Sequence, residues 1–304
     1  MLEVFSVFWA LVPVTLAQSL ILSFVVLGVM IPFRILSFPN LTSEGAYPLG
    51  GAVCAVALLA GVPAFLSIAL AFTAGFLAGT LTAFIHLRFH IHTLLAGILV
   101  TTMLYSVNLR ILGKPNIPLF REIKVFDYLA FPFLSINAGK ILLAGLLGLL
   151  FVLTLRFWFN TERGIVMRAV GDNSDMAEAQ GNNVNRSIFL GIGVAGGCSA
   201  FSGSLMVQSQ SFVDVNMGLG ILINALAALM IGEAITGRER LLKQLAAPFI
   251  GSIIYYQLIS FCLAAGLAPS DLKIATGIFV IAMLAGPTLI QKRPVRMAHE
   301  KIRE

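Results

Sequence analysis

TERGIVMRAVGDNSDMAEAQGNNVNR, residues 161–186, is the one long polar stretch in a chain of 304 residues that is 58% hydrophobic. It carries Arg163, Arg168 and Arg186 among acidic residues and asparagines, and long apolar runs stand on both sides of it. Apolar runs of this length are typical of membrane spans. We therefore predict that residues 161–186 form a loop between two spans.

The centre of this loop carries the sequence signals of a short helix. Asp172, Asn173 and Ser174 are candidate N-caps, because their side-chain oxygens accept hydrogen bonds from the unpaired N–H groups of a first turn. Gly181 suits the position after the last turn, where a left-handed residue is common. We predict a helix over residues 174–180, about 10 Å long. A short capped helix at a membrane surface is a docking element for something outside the bilayer.

Small and adaptable side chains of this segment favour close contact with another protein. Met176 and Ala179 lie three residues apart and would share one helix face. Ala177 and Ala179 are small and Met176 is adaptable, so we expect them to fit closely against a partner. Gly171 is expected to let the chain turn into the helix where a side chain would be strained.

The composition excludes several classes of protein. A mean hydropathy of +0.94 with 11% charged residues excludes an ordinary soluble domain. The net charge of +6 comes from cations in short loops and the tail, which is typical of membrane proteins and not of nucleic-acid binding. Cys54, Cys198 and Cys262 have neither metal nor disulfide spacing. The sequence contains no GxxxxGK[ST] motif and no Ser/His/Asp, Cys/His or HExxH arrangement, so no cofactor, ATP site or enzymatic activity is expected.

The apolar runs predict an all-α, polytopic membrane protein with about eight or nine spans, in one transmembrane domain over residues 1–304. The predicted spans cover residues 9–33, 63–85, 93–112, 138–159, 187–207, 217–235, 245–265 and 272–290. A further apolar piece, residues 47–60, is short for a full crossing. In the span after the polar loop, Gly191, Gly193 and Gly196 match G-x-G-x-x-G, but no strand precedes them. Close helix packing in the membrane is the better interpretation of these glycines.

The segment RILSFPNLTSEGAYPLGGAV, residues 34–53, is interrupted by proline and glycine at membrane depth. Such backbone must be buried in protein or line a cavity, and it often marks a transport pathway. We therefore consider Asn40, Thr42 and Glu44 as pathway residues, with a plain loop before an ordinary helix as the alternative. Asn224, inside a predicted span, either lines the pathway or bonds a neighbouring helix.

Glu233 is a carboxylate near one end of the predicted span over residues 217–235. It is either an interfacial side chain or a candidate gate or partner contact. The sequence leaves both interpretations open.

The charge distribution predicts the orientation. With residues 161–186 in the cytoplasm, fourteen Lys and Arg residues lie inside and six outside, out of the 20 in the chain. This places the tail over residues 291–304 in the cytoplasm. It also makes residues 113–137 an external loop, with a short interfacial helix within it.

Three blocks of the sequence resemble one known family. MRAVGDNSDMAEAQGNNVNR, residues 167–186, is similar to the cytoplasmic coupling loop of ABC-type permeases of the branched-chain amino-acid/ribose family. FPNLTSEGAYPLGGAV, residues 38–53, and NALAALMIGEAITG, residues 224–237, are similar to the broken segment and to a late span of that family. Within it, the chain most resembles permeases assigned to tryptophan or tyrosine import. Glu233 departs from the family, because sugar and branched-chain relatives often carry a second glycine there.

The resemblance implies the permease of an ABC importer, with a fold like that of type II importers, in the cytoplasmic membrane of a bacterium. Its implied partners are ABC ATPase subunits, an external substrate-binding protein or lipoprotein, a second permease subunit (most simply a second copy) and membrane lipid. An ion-coupled secondary transporter that works alone is the alternative. The side chains implied to couple the permease to the ATPase are Arg168, Ala169, Gly171, Asp172, Asn173, Met176, Ala177, Ala179, Gly181, Asn185 and Arg186.

Overall fold

A computed structural model of the chain describes residues 2–129, 136–237 and 239–268, with isolated positions up to 281. The helices are α1 (Leu2–Met30), α2 (Ser43–Leu59), α3 (Ala64–Phe89), α4 (Thr93–Leu112), α5 (Ile136–Phe159), α6 (Glu162–Asp172), α7 (Ser174–Ala179), α8 (Val184–Gln210), α9 (Ile221–Thr236) and α10 (Leu241–Ala264). Six of the described helices are long and apolar enough to cross a membrane, and α2 and α9 are shorter apolar helices. The predicted all-α, polytopic membrane fold is therefore confirmed. The predicted span over residues 272–290 lies outside the described residues, apart from a few positions, as does the whole tail over 291–304.

The centre of the molecule is formed by α1 and α8. The most apolar windows of these two helices are 72% and 78% buried, whereas those of α4 and α5 are 28% buried each. A helix that is apolar on all sides is either buried or faces lipid. α1 and α8 therefore form the core, and the exposed apolar sides of α4 and α5 face the membrane.

Glycines on α8 allow its neighbours to approach closely. A Cβ atom on Gly196 would collide with the carbonyl oxygen of Gly75 on α3, and one on Gly203 with the carbonyl oxygen of Tyr47 on α2. Gly50 on α2 likewise packs directly on the backbone of Ala200. Small residues serve this purpose between helices in lipid. The interpretation of the α8 glycines as packing residues is confirmed.

A long helix followed by a break and a short helix occurs twice in the chain. α1 leads through a π-helical turn (Ile31–Ile35) and an irregular segment into α2, and α8 leads through another irregular segment into α9. Each break contains a serine in the left-handed region, Ser37 at φ 51° and Ser211 at φ 66°. Leu36 lies against Gly191 in the second turn of α8, so α1 ends near the point where α8 begins. The two long–short units therefore run in opposite directions.

The far end of α8 is attached to the predicted external loop. Within that loop, strand β1 (Asn116–Pro118) pairs antiparallel with β2 (Phe212–Asp214). The loop also contains a 3₁₀ helix over Val125–Leu129, which confirms the predicted short helix. Gln208 Oε1 on α8 accepts a hydrogen bond from the Val125 N–H at 2.8 Å. The strand pair was not predicted, because each strand is only three residues long and its partner is far away in the sequence.

Candidate coupling and pathway sites

The structure contains the predicted short helix as α7. Of the three candidate caps, Asn173 performs the capping: its Oδ1 accepts a hydrogen bond from the Met176 N–H at 2.9 Å. Asp172 instead ends the preceding helix, and Ser174 is the first residue of α7. Gly181 follows the helix with φ 84°, a conformation that costs a glycine little. The predicted cap and terminator of this helix are confirmed.

A second helix in the polar loop, α6, was not predicted. Gly164, Met167 and Val170 are its buried residues. They recur every three residues, which places them on one helix face. Gly164 packs directly on the backbone at the end of α5. The 161–186 loop is thus two helices joined at a sharp corner, and α6 attaches α7 to the membrane domain.

Gly171 has a different role from the predicted one. It lies inside α6, in ordinary helical conformation, so it does not provide the turn into α7. A Cβ atom at this position would collide with the carbonyl oxygen of Ile35, at the end of α1, and would lie 3.0 Å from the Cα of Leu36. The side chain of Leu36 in turn packs against Gly191 of α8. Gly171 is therefore the point where the polar loop contacts the end of α1.

The two faces of α7 differ from the predicted arrangement. Ala177 is 2% exposed and lies in the core of this chain, so its side chain is unavailable to a partner. Met176 is 59% exposed, and Ala179 is exposed beside it. The remaining predicted contacts that are exposed are Ala169, Asp172, Asn173, Gly181, Asn185 and Arg186. The outer face of α7 thus presents Met176 and Ala179, while Ala177 holds α7 against its own chain.

The two arginines predicted to bracket α7 lie in different surroundings. Arg168 Nη2 donates a hydrogen bond to the carbonyl oxygen of Phe159, the last residue of α5, at 3.2 Å. A cation suits the negative end of a helix dipole. Arg186 is exposed and borders a cavity between α6 and α8. Arg168 thus binds its own chain, and Arg186 alone is oriented outward.

The break before α2 is buried and internally bonded. Asn40 Oδ1 accepts hydrogen bonds from the Thr42 N–H at 3.0 Å and from the Thr42 hydroxyl at 2.6 Å. The Thr42 hydroxyl also lies 2.7 Å from that of Thr82 on α3. Asn40 and Thr42 are 1% and 0% exposed. Both predicted pathway residues therefore stabilise the break and present no side-chain surface to a solute.

The irregular backbone of this break is satisfied by side chains of α4. Thr101 Oγ1 donates to the carbonyl oxygen of Leu41 at 3.1 Å, and Asn108 Nδ2 donates to that of Gly45 at 3.3 Å. Backbone at membrane depth requires such partners. The broken segment is therefore buried in the protein, as predicted for interrupted backbone at membrane depth. Asn108, which is fully buried, was missed because nothing local distinguishes it from any polar residue within a span.

Glu44 joins the starts of the two short helices. It lies in the first turn of α2, and its carboxylate faces the backbone N–H groups of Gly220 and Leu222 at the start of α9. A carboxylate suits the positive end of a helix dipole. Gly218 packs directly on the carbonyl oxygen of Glu44, where a side chain would collide. The broken segment therefore packs against the start of α9, the helix that carries Asn224.

Asn224, in the first turn of α9, bonds a neighbouring helix. Its Oδ1 accepts a hydrogen bond from the Tyr255 hydroxyl on α10 at 2.9 Å. The structure thus supports the second of the two interpretations of Asn224. Tyr255 was missed because its helix, α10, follows α9 in the sequence without any motif that pairs the two residues.

Glu233 forms a buried ion pair near the end of α9. Its Oε2 lies 2.7 Å from Nη2 of Arg34, in the π-helical turn that ends α1. The Glu233 side chain is 4% exposed and that of Arg34 is 36% exposed. Glu233 is therefore paired within its own chain, and its role as a gate stays a prediction. Arg34 was missed, because a single arginine after a span is usually a solvated membrane-edge cation.

These features define a class of protein. Short helices that begin at internal breaks, buried polar side chains that satisfy those breaks, and an exposed helix pair at one end are typical of membrane transport permeases. The chain belongs to the family of branched-chain amino acid transport system permease components, which matches residues 13–285.

Two curated relatives cover most of the chain. The tyrosine transport system permease protein of Clostridioides difficile (strain R20291) is 38% identical over 270 residues, which is 89% of each chain. An uncharacterised protein of Rickettsia prowazekii (strain Madrid E) is 33% identical over 279 residues, 89% of this chain and 95% of that one. No solved structure shows a significant match to the chain.

Proposed function

We propose that this chain is the membrane-spanning subunit of an ATP-driven importer in the cytoplasmic membrane of a bacterium. Two copies form the translocation pathway, ABC ATPase subunits bind the α6–α7 end, and an external binding protein delivers the solute at the other end. The sequence lacks a P-loop, so ATP hydrolysis belongs to a separate chain. The observation that carries this proposal is the exposed, capped helix α7, which α6 connects directly to the end of α1.

The solute proposed for this importer is an aromatic amino acid. The relative from Clostridioides difficile is named for tyrosine transport and matches 89% of this chain. Within the chain, the pathway is proposed to run past Glu44, where α2 and α9 begin. These helices point in opposite directions from that position, as do the broken helices that surround solute sites in many transporters.

Transport by the reconstituted complex tests this proposal. The chain, purified with the ATPase encoded beside its gene, is placed in liposomes with the cognate binding protein. We expect ATP-dependent uptake of radiolabelled tyrosine, with competition by tryptophan and phenylalanine but not by leucine or ribose. Accumulation by the chain alone under a sodium or proton gradient would instead establish the ion-coupled secondary transporter.

Glu44→Gln is expected to reduce ATP-driven uptake severalfold without changing the amount of protein in the membrane. The substitution keeps the size of the side chain but removes the charge that faces the first N–H groups of α9. A carboxylate near the positive end of a helix dipole stabilises that end by about 0.3–1 kcal/mol. Initial uptake rates and membrane protein levels measure the effect.

Glu239→Gln is the matched control, because Glu239 is exposed and lies after α9. Its uptake should equal that of the wild type. If the Glu44→Gln variant takes up solute at the wild-type rate, the charge of Glu44 has no role in the proposed pathway.

A further inference from the structure

A cavity of about 600 Å³ lies between the first two turns of α6 and the first two turns of α8. Its polar side carries Arg163, Arg186 and Asn183, with Glu162 beside them. The Asn183 side-chain oxygen is already used, because it accepts a hydrogen bond from the Arg186 N–H at 3.0 Å. The two arginine side chains are therefore the cationic groups available to a ligand, and the Asn183 Nδ2 is a further donor beside them.

The charge of this cavity favours an anion. Arg163 and Arg186 are both exposed, and neither forms an ion pair within the part of the chain that the structure describes. Two guanidinium groups against the single carboxylate of Glu162 leave the lining with a net positive charge. Arginine binds phosphate through paired N–H donors, more specifically than lysine does.

The opposite wall of the cavity is apolar. It consists of Val166 on α6 and of Phe189 and Leu190 on α8, and Leu190 is 36% exposed. Ser187, one turn into α8, is already buried. The cavity thus begins at the polar loop and continues along a membrane-spanning helix, which places it at the membrane boundary.

We propose that this cavity binds an anionic phospholipid, with the phosphate between Arg163 and Arg186 and an acyl chain against Phe189 and Leu190. Basic pockets beside transmembrane helices on the cytoplasmic side bind anionic lipid headgroups. A polar loop of an ATPase would match the two arginines but not the apolar wall, so a lipid is the occupant that fits both halves. The site depends only on the chain being in a membrane, and not on the proposed import of amino acids.

Native mass spectrometry of the purified chain tests the site. The probes are dioleoyl-phosphatidylglycerol and dioleoyl-phosphatidylcholine, titrated separately into the same detergent-solubilised protein. We expect the first phosphatidylglycerol molecule to bind at least about tenfold more tightly than phosphatidylcholine, because each arginine near the surface adds to the attraction. Arg163→Gln with Arg186→Gln should remove most of this preference.

Two further double variants test whether the lipid preference comes from this cavity, and not from the overall charge of the chain or from misfolding. Arg88→Gln with Arg240→Gln removes the same charge at exposed positions outside the cavity and should leave the preference unchanged. Arg163→Lys with Arg186→Lys should retain most of the preference, since the charge remains. Equal affinity of the wild-type chain for the two lipids would overturn the proposal. So would a glutamine pair that keeps its lipid preference but loses the ATPase in a pull-down, because the arginines would then bind the partner protein.

Discussion

Gly171→Val should abolish ATP-driven uptake, to below about a tenth of the wild-type rate, while the protein still reaches the membrane. Gly171 lies where α6 meets the end of α1, and the first atom of any side chain would collide with the carbonyl oxygen of Ile35. That backbone cannot move aside as a flexible side chain would, so α6 must shift. Overpacking of this kind costs about 1–3 kcal/mol, and about 1.4 kcal/mol changes the ratio of two conformations tenfold.

The expected defect is a loss of coupling and not a loss of docking. The exposed side chains of α7, above all Met176 at 59% exposure, are unchanged by the substitution. We therefore expect the ATPase to remain bound in a pull-down while the uptake driven by it is lost. Initial uptake rates in vesicles, together with the amount of ATPase retained, measure the two effects separately.

Gly145→Val on α5 is the matched control for this experiment. It is also a glycine-to-valine substitution within a helix, but a Cβ at Gly145 meets nothing within 4 Å. This variant should transport at close to the wild-type rate. Normal uptake by Gly171→Val would show that contact between α6 and the end of α1 does not carry the coupling.

Features encoded in neighbouring residues could be predicted from the sequence. The spans follow from the lengths of the apolar runs, since each helix needs only its own side chains to satisfy its backbone. The helix α7 could be predicted because the residues that bound it are close in sequence. Asn173 lies three positions before Met176, whose N–H it caps, and Gly181 lies two positions after the last helix residue. The broken segment before α2 follows from its prolines and glycines.

Features that depend on distant residues could not be predicted. The helix α6 was missed because one of its three buried positions is Gly164, so its apolar pattern is weak. The roles of Gly171 and Ala177 were misjudged because the sequence does not reveal which face of a loop helix meets the membrane domain. The partners of Glu44 and Glu233 lie far away in the chain, and no local pattern pairs them.

The distant contacts also suggest how the two proposed sites communicate. The start of α9 faces the Glu44 carboxylate, and Arg34 binds Glu233 near the end of the helix. Arg34 precedes Ile35, on whose carbonyl group Gly171 packs. A movement of α6 would therefore be transmitted to α9 by the π-helical turn (Ile31–Ile35) at the end of α1. We propose that the Arg34–Glu233 pair is the inner link, and the candidate gate, of the transport cycle.

Arg34→Gln should reduce uptake at least about tenfold, and by more than Glu233→Gln does. Breaking a fully buried ion pair costs about 3–5 kcal/mol, and the partial exposure of Arg34 lowers that cost here. The Glu233 side chain is 4% exposed and that of Arg34 is 36% exposed, so the arginine substitution removes a cation beside the more buried of the two charges. Uptake rates and thermal unfolding of the purified variants measure the effects on transport and on stability.

The double variant Arg34→Gln with Glu233→Gln distinguishes a transport link from a purely structural pair. Removing both charges takes away the cost of the buried carboxylate, so thermal stability should recover toward that of the wild type. Uptake should stay low, because two neutral side chains no longer couple the end of α1 to α9. Recovery of both stability and uptake would mean that the pair only stabilises the fold. A thermal stability as low as that of Arg34→Gln alone would contradict the assignment of the pair as a direct interaction.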